Sequence, residues 1–355
     1  MINLFHPYLC TIESGSGIVI ATVVEASGST PQKPGSTAII QTGRVVAGTV
    51  GGGVAEGKVA ETALACSLSG ESRILRIFLN SDISNKEEAV CGGEMSVLLD
   101  ANPHDHLKEF GKMQESLERR EPGVLLTMVT RRESGHVSVK RYWAEGGMYQ
   151  LLPSSLLEIF PEEARSLLGS GGFTSFRHLE VNLPGEEQPS LIYLEPVFPL
   201  PVLIIAGAGH IGKALSHLGK MLGFEVTVID DREEYANKEN LPDASHILVK
   251  NIGQAMASIE KRDDTYIVIV TRGHKDDGEA LRQCIGSDAA FVGMIGSVAK
   301  IARMKKEFIE QKWATEEQWA EIHAPIGLDI KSKTVEEIAI SIAAELIQVR
   351  NKDKR

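Results

Sequence analysis

The hydrophobic pattern changes character near residue 200. Downstream, short apolar runs alternate with stretches whose apolar residues recur at helical spacing: VLIIA (202–206), EVTVI (225–229), HILV (246–249), YIVIVT (266–271) and AFVGMI (290–295). Runs of this length, rich in Val and Ile, suit strands buried on both faces, and their alternation with helices predicts βαβ units in a parallel sheet. Between the first two runs, Ile211, Ala214, Leu215, Leu218, Met221 and Leu222 form one helical stripe; Val335, Ile338, Ala339, Ile342, Ala343 and Leu346 form another. These faces are core and carry no functional meaning.

Upstream the pattern is mixed. Strand-like GIVIATVVE (17–25) precedes a hairpin at Thr42-Gly43, a helix over Val54–Leu68, and strands RILRIFL (73–79) and EMSVLLD (94–100). An amphipathic helix over Leu107–Leu117 and β segments VLLTMVT (124–130), HVSVKRYW (136–143) and SLIYLEPV (190–197) follow. The boundary lies in EPVFPLPV, where Pro196, Pro199 and Pro201 stiffen the chain and withhold backbone donors. The expected fold class is therefore α/β: an N-terminal α+β domain (1–198) followed by a C-terminal Rossmann-like, doubly wound parallel-sheet domain (199–355).

Composition narrows the function classes. The chain has 355 residues, enough for about two domains. Asp+Glu 48 against Lys+Arg 37 gives a net charge of −11, and aromatic residues make only 5%. This balance disfavours long-range attraction to phosphate backbones and stacking on single strands, so no nucleic-acid partner is expected. Cys10, Cys66, Cys91 and Cys284 form no CxxC pair, which points to reducing cytoplasm rather than a disulfide framework. No apolar run reaches the roughly 20 residues that span a bilayer, and no signal-peptide pattern opens the chain, so no membrane is expected.

Candidate chemistry concentrates at turns. Gly207-Ala208-Gly209-His210-Ile211-Gly212 follows a buried strand and opens a helix, the context a phosphate-binding GxGxxG turn requires. Asp230 and Asp231 end the second strand, where an acid would meet a ribose hydroxyl. Glycines that serve only strand–helix packing are the bland alternative. Two further loops are expected at the same sheet edge. One carries His274 with Asp276 or Asp277, read either as a tethered loop histidine or as a polar handle. The other carries Gly296, Ser297 as a helix cap, and Lys300 one turn in, read either as a place where an anion would meet amides and an ammonium or as an ordinary cap with a surface lysine. Upstream, Gly51, Gly52 and Gly53 leave backbone amides uncovered before a helix that includes Glu56, which reads either as a second candidate cradle for a phosphate or oxo group or as a tight crossing of strands. Cys91 sits at a loop-to-strand junction and is the best candidate among the four for a reactive thiolate, the alternative being a silent structural cysteine; Cys66 and Cys284 read as inert core. His104-Asp105-His106 reads as a polar loop.

Taken together, GSTPQKPG (28–35), GTVGGGVAEG (48–57), CGGEM (91–95), GAGHIG (207–212), VIDDRE (228–233), RGHKDD (272–277), FVGMIGSVAK (291–300) and HAPIGLDI (323–330) make the chain resemble the XdhC/CoxI proteins, accessory factors for molybdenum hydroxylases. The resemblance implies a cytoplasmic homodimer that binds the molybdenum cofactor, molybdopterin, protects it during sulfuration and passes it to a hydroxylase such as xanthine dehydrogenase, with a cysteine desulfurase as sulfur donor. It implies that Cys91 is the family's CGG thiol, close to the metal or its sulfur, that Gly51–Gly53 with Glu56 are its glycine-rich turn, and that Gly207, Gly209 and Gly212 are its Rossmann turn. Such a factor is not itself an enzyme. The alternative is an NAD(P)-dependent oxidoreductase, for which His274 is the visible acid/base candidate. Arg232 after Asp230-Asp231 departs from a simple NAD ribose clamp.

Overall fold

The computed structural model describes residues 17–79, 92–132, 135–146, 175–182, 186 and 188–352. It divides into two compact units, Met1–Pro199 and Leu200–Arg355.

The first unit contains β1 (Ile18–Ser27), β2 (Thr37–Gln41), β3 (Arg44–Gly48), α1 (Val54–Ser69), β4 (Arg73–Leu79) and β5 (Gly93–Asp100). These strands make an antiparallel sheet of order β3-β2-β1-β5-β4. Thr42 and Gly43 join β2 to β3 with φ of 49° and 74°, the two positive values a tight hairpin turn needs. Side chains alternate across β1: Val19, Ala21 and Val23 meet Ala55, Val59, Ala63 and Cys66 of α1, while Ile18 and Ile20 face the opposite side.

That opposite side packs on α2 (Leu107–Glu118) and on a second antiparallel sheet. The sheet is built from β6 (Gly123–Arg131), β7 (Val137–Glu145), β8 (Arg177–Val181) and β9 (Ser190–Val197), in the order β7-β6-β9-β8. Strand β8 escapes the sequence reading because it is an edge strand with only Val181 buried, so no apolar run marks it.

In the second unit, β10 (Val202–Ala206), β11 (Glu225–Asp230), β12 (His246–Val249), β13 (Thr265–Ile269) and β14 (Phe291–Met294) form a wholly parallel sheet of order β12-β11-β10-β13-β14. The expected Rossmann-like architecture is present. Helices α3 (His210–Met221) and α8 (Val335–Arg350) cover the face of Leu203 and Ile205. Helices α4 (Ile252–Ser258), α5 (His274–Arg282), α6 (Val298–Glu310) and α7 (Glu316–Ala320) cover the face of Ile204 and Ala206. The strand order reverses between β10 and β13, so the carboxyl ends of β10, β11, β13 and β14 frame the crevice where such sheets place ligands. Among the described residues no helix is long and apolar enough to cross a membrane.

Candidate functional site

The turn after β10 is shaped by close backbone packing. A Cβ on Gly207, whose φ is +117°, would lie 2.5 Å from the Val270 carbonyl oxygen, and one on Gly212 would lie 1.9 Å from the Gly207 carbonyl oxygen. Gly209 differs: nothing lies within 4 Å of the position its Cβ would take. It is the cap of α3 and brings no side chain to close the helix start, and the first helical residue, His210, is exposed. The three glycines thus divide into two that permit packing and one that leaves the backbone approachable.

Asp230 lies beneath this turn rather than at its lip. It is 2% exposed. Its Oδ2 accepts from the Ala208 amide at 2.8 Å and from Arg232 Nη2 at 2.9 Å; its Oδ1 accepts from Arg232 Nε at 2.8 Å and the Arg232 amide at 3.1 Å. Burial alone would raise its pKa, but these hydrogen bonds outweigh that and hold the carboxyl below its ordinary value. Asp231 is open to solvent and pairs with Arg272 at 3.5 Å.

The loops after β13 and β14 depart from expectation. His274, Asp276 and Asp277 lie in the first turn of α5, not on a loop, because Gly273 in extended conformation starts the helix. His274 Nε2 faces Glu307 at 3.3 Å instead of a neighbouring aspartate, and Asp276 pairs with Arg272. Asp277 is fully buried: Oδ1 accepts from the Thr271 hydroxyl at 2.6 Å and Oδ2 pairs with the Lys300 ammonium. Lys300 also donates to the Ile295 carbonyl at 3.3 Å. Ser297 caps α6, as its position predicts, by accepting from the Lys300 amide at 3.2 Å. Gly296 is closed by Ile301, whose Cδ1 lies 2.8 Å from the position a Cβ would take. The ammonium expected to meet an anion is therefore engaged by Asp277, and the edge between β13 and β14 is tied shut by a hydroxyl–carboxylate–ammonium chain.

In the first unit, three glycine-rich motifs distant in sequence meet. A Cβ on Gly51, with φ of +117°, would lie 2.6 Å from Pro31 Cγ, and one on Gly93 would lie 2.4 Å from the Ser29 carbonyl oxygen. Segments 28–35 and 92–95 are thereby packed backbone to backbone, and segment 48–57 packs its backbone at Gly51 against the Pro31 ring. Gly52 and Gly53 have open space where side chains would be, immediately before α1. Glu56 is held by the Thr49 hydroxyl at 3.0 Å, and the Gly51 amide donates to that same hydroxyl at 3.1 Å, so the turn is braced from within. A cavity of about 410 Å³ opens beside Gly28, Gly92, Gly93 and Glu94, with the 61%-exposed Phe78 on its wall. Cys91 and Cys10 lie outside the described residues. Burial pushes the Cys284 thiol up to about 12 and raises that of Cys66, which makes both poor nucleophiles. Among the described residues, no group of three or more His, Cys, Asp or Glu is placed to hold a metal ion.

Bracing and opening are separable by mutation. Gly51→Ala is expected to cost about 1–2 kcal/mol because its left-handed φ and Pro31 both oppose a Cβ. Gly52→Ala, into open space, is expected to leave thermal stability unchanged while weakening any ligand that approaches this backbone. Thermal unfolding of both variants checks the first statement; equal destabilisation by the two would contradict it.

Residues 203–346 match the family described as the XdhC Rossmann domain, and residues 11–77 match the XdhC and CoxI family. The chain belongs to the XdhC/CoxI family. An uncharacterized protein of Escherichia coli (strain K12), YqeB, is 34% identical to this XdhC-family chain over 152 residues, which cover 42% of the chain and 28% of YqeB. A probable xanthine dehydrogenase subunit of Bacillus subtilis (strain 168) is 24% identical over 351 residues, 98% of each chain. A crystal structure of a xanthine dehydrogenase from Bacillus halodurans shares the fold, with a TM-score of 0.75 at 23% identity over 99% of this chain and 97% of that one.

Two clusters in this XdhC-family chain escape sequence reasoning. His106, read as part of a polar loop, is buried in a 3₁₀ turn beside the ion pair of Asp100 and Arg141, whose Oδ2 and Nη2 are 3.1 Å apart; burial lowers the histidine pKa. In the HAPIGLDI segment, His323 runs parallel to β14 at Gly293, and Glu345 of α8 holds both its Nδ1, at 2.8 Å, and the Gly327 amide, at 2.7 Å. The signal for the second was a carboxylate interrupting an apolar helical stripe.

Proposed function

We propose that this chain is a molybdenum cofactor-binding accessory chaperone for maturation of a xanthine dehydrogenase-type hydroxylase. The observation that carries the reading is that a member of the XdhC/CoxI family has, in each of its two units, a helix-opening glycine turn whose backbone is left uncovered, at Gly52–Gly53 and at Gly209. Molybdopterin ends in a phosphate, and such turns suit an anion because their amides and helix ends offer positive charge without side chains. Bound, the cofactor supplies redox chemistry to the hydroxylase, and this chain's residues serve only to hold and shield it. Each unit on its own offers a turn for an anionic group of the cofactor, Gly51–Gly53 in the first and Gly207–Gly212 in the second, and the Cys91 thiolate is the proposed soft donor near the metal or its sulfur.

The alternative NAD(P)-dependent oxidoreductase is favoured by the Rossmann turn alone. Against it stand the saturated Asp230 carboxylate and the pairing of His274 with Glu307.

The reading is tested by producing the protein with the cofactor pathway active and assaying the purified, folded chain for pterin released by oxidation. Near-stoichiometric pterin is expected; a folded protein without pterin overturns the assignment. Cys91→Ala is expected to lower retained cofactor or hydroxylase maturation severalfold with an unchanged circular dichroism spectrum, and unchanged retention and maturation would remove Cys91 from the site. The same proposal includes a cytoplasmic homodimer that works with a cysteine desulfurase, checked by light scattering and by co-purification with the desulfurase and hydroxylase.

A further inference from the structure

The carboxyl end of β11 is built differently from a ribose clamp. A carboxylate offers about four lone-pair positions, and Asp230 receives four donors: the amides of Ala208 and Arg232, and Nε and Nη2 of the Arg232 side chain. At 2% exposure it has no acceptor to offer a ribose diol. Nε and Nη2 are equally committed, so a 2′-phosphate would reach them only by displacing Asp230.

The consequence falls on the arginine. Two side-chain hydrogen bonds to one carboxylate fix its guanidinium plane, and its Cζ lies 4.1 Å from the centroid of the Tyr235 ring. The Arg232 carbonyl accepts from the amides of Tyr235 and Ala236, so the backbone also fixes how the two side chains meet. The Arg232 side chain is still 22% exposed. Because Asp230 Oδ2 is shared by Arg232 and Ala208, the guanidinium is one oxygen atom removed from the glycine turn. The neighbouring charges, Asp231, Arg272 and Asp276, pair with one another and add no surplus positive charge for a second phosphate.

We infer that Arg232, pinned by Asp230 and backed by Tyr235, is a stacking platform for the planar heterocycle of a ligand whose phosphate sits at the Gly207–Gly212 turn, and that the site does not read a ribose diol. A guanidinium is planar, delocalised and weakly hydrated, which suits it to lie against a π-system in a way an ammonium does not. The inference rests on the phosphate-binding part of the proposed function, not on the identity of the cofactor.

Calorimetric titration with ADP, 2′-deoxy-ADP and inorganic pyrophosphate tests it without the molybdenum cofactor. ADP and 2′-deoxy-ADP are expected to bind within about twofold of each other, and pyrophosphate, lacking a ring, at least about fivefold more weakly. Arg232→Lys, which keeps the charge but loses the plane, is expected to weaken ADP at least about fivefold with pyrophosphate affinity unchanged. Tyr235→Leu, which leaves the Asp230 hydrogen bonds untouched, is expected to weaken ADP in the same selective way. A tenfold preference for ADP over its 2′-deoxy form, equal affinity for ADP and pyrophosphate, or parallel loss of both ligands in Tyr235→Leu overturns the platform while leaving the phosphate turn standing. Failure of ADP and pyrophosphate alike overturns both.

Discussion

Gly212→Ala is expected to destabilise the Leu200–Arg355 unit by about 3 kcal/mol or more, the upper end of overpacking costs. The added Cβ would sit 1.9 Å from the Gly207 carbonyl oxygen and 3.4 Å from Ile205 Cγ2, so the obstacle is backbone and cannot be relieved by a rotamer change. Helix α3 would have to lift from β10, breaking the approach that also positions Gly209 and the Ala208 amide. For a unit of this size such a loss corresponds to a fall in Tm of roughly 6–12 °C. Gly209→Ala is the informative contrast. Its φ of −68° and ψ of −170° are open to an L residue and nothing occupies the space, so the expected cost is only that of replacing a glycine cap by alanine, less than about 1 kcal/mol. Phosphate-bearing ligands, however, should lose access to the turn. Scanning calorimetry on both variants, with pyrophosphate titration on Gly209→Ala, separates packing from binding. If Gly212→Ala melts with the wild type, the helix–strand contact is not tight.

Lys300→Met is expected to be the more damaging half of the buried ion pair, costing about 3–5 kcal/mol. Asp277 is 0% exposed and Lys300 is 24% exposed at the side chain, so removing the lysine strands a carboxylate that cannot reach water. Removing the acid instead strands an ammonium that can. Asp277→Asn also keeps an oxygen for the Thr271 hydroxyl, and its cost is expected to be about 1–3 kcal/mol. The double variant should fall short of the sum of the single costs by about 1–3 kcal/mol, since the two groups act on each other. Urea denaturation of the four proteins gives the cycle. Equal single costs, or strict additivity, would show that the pair is not what fastens α5 and α6 to the edge of β13.

The second unit was legible because its signals are local. The runs at 202–206 and 225–229 need only their own composition to declare buried strands, and Gly207 to Gly212 need only their position between strand and helix. Ser297 was legible as a cap for the same reason. His274 is not legible in the same way: HKDD is polar and follows Gly273, so by sequence the start of α5 looks like the continuation of a loop. In the first unit, the strands other than the exposed edge strand β8 are readable and their pairing is not, since an antiparallel order of β3-β2-β1-β5-β4 follows from which faces find burial together.

What the sequence determined by itself was the alternation that makes a parallel sheet, the Pro-rich break before it, and the glycine turns with their family resemblance, each of which is a signal written in a few consecutive residues. Tertiary structure alone decided the partners of the charges. Asp230 meets an amide 22 residues away and Asp277 an ammonium 23 residues away, and only strand adjacency and burial bring them together. A carboxylate beside a glycine turn can face a ligand or fasten the fold. The choice depends on whether water or a donor reaches it, which is a property of the packed chain and not of the motif.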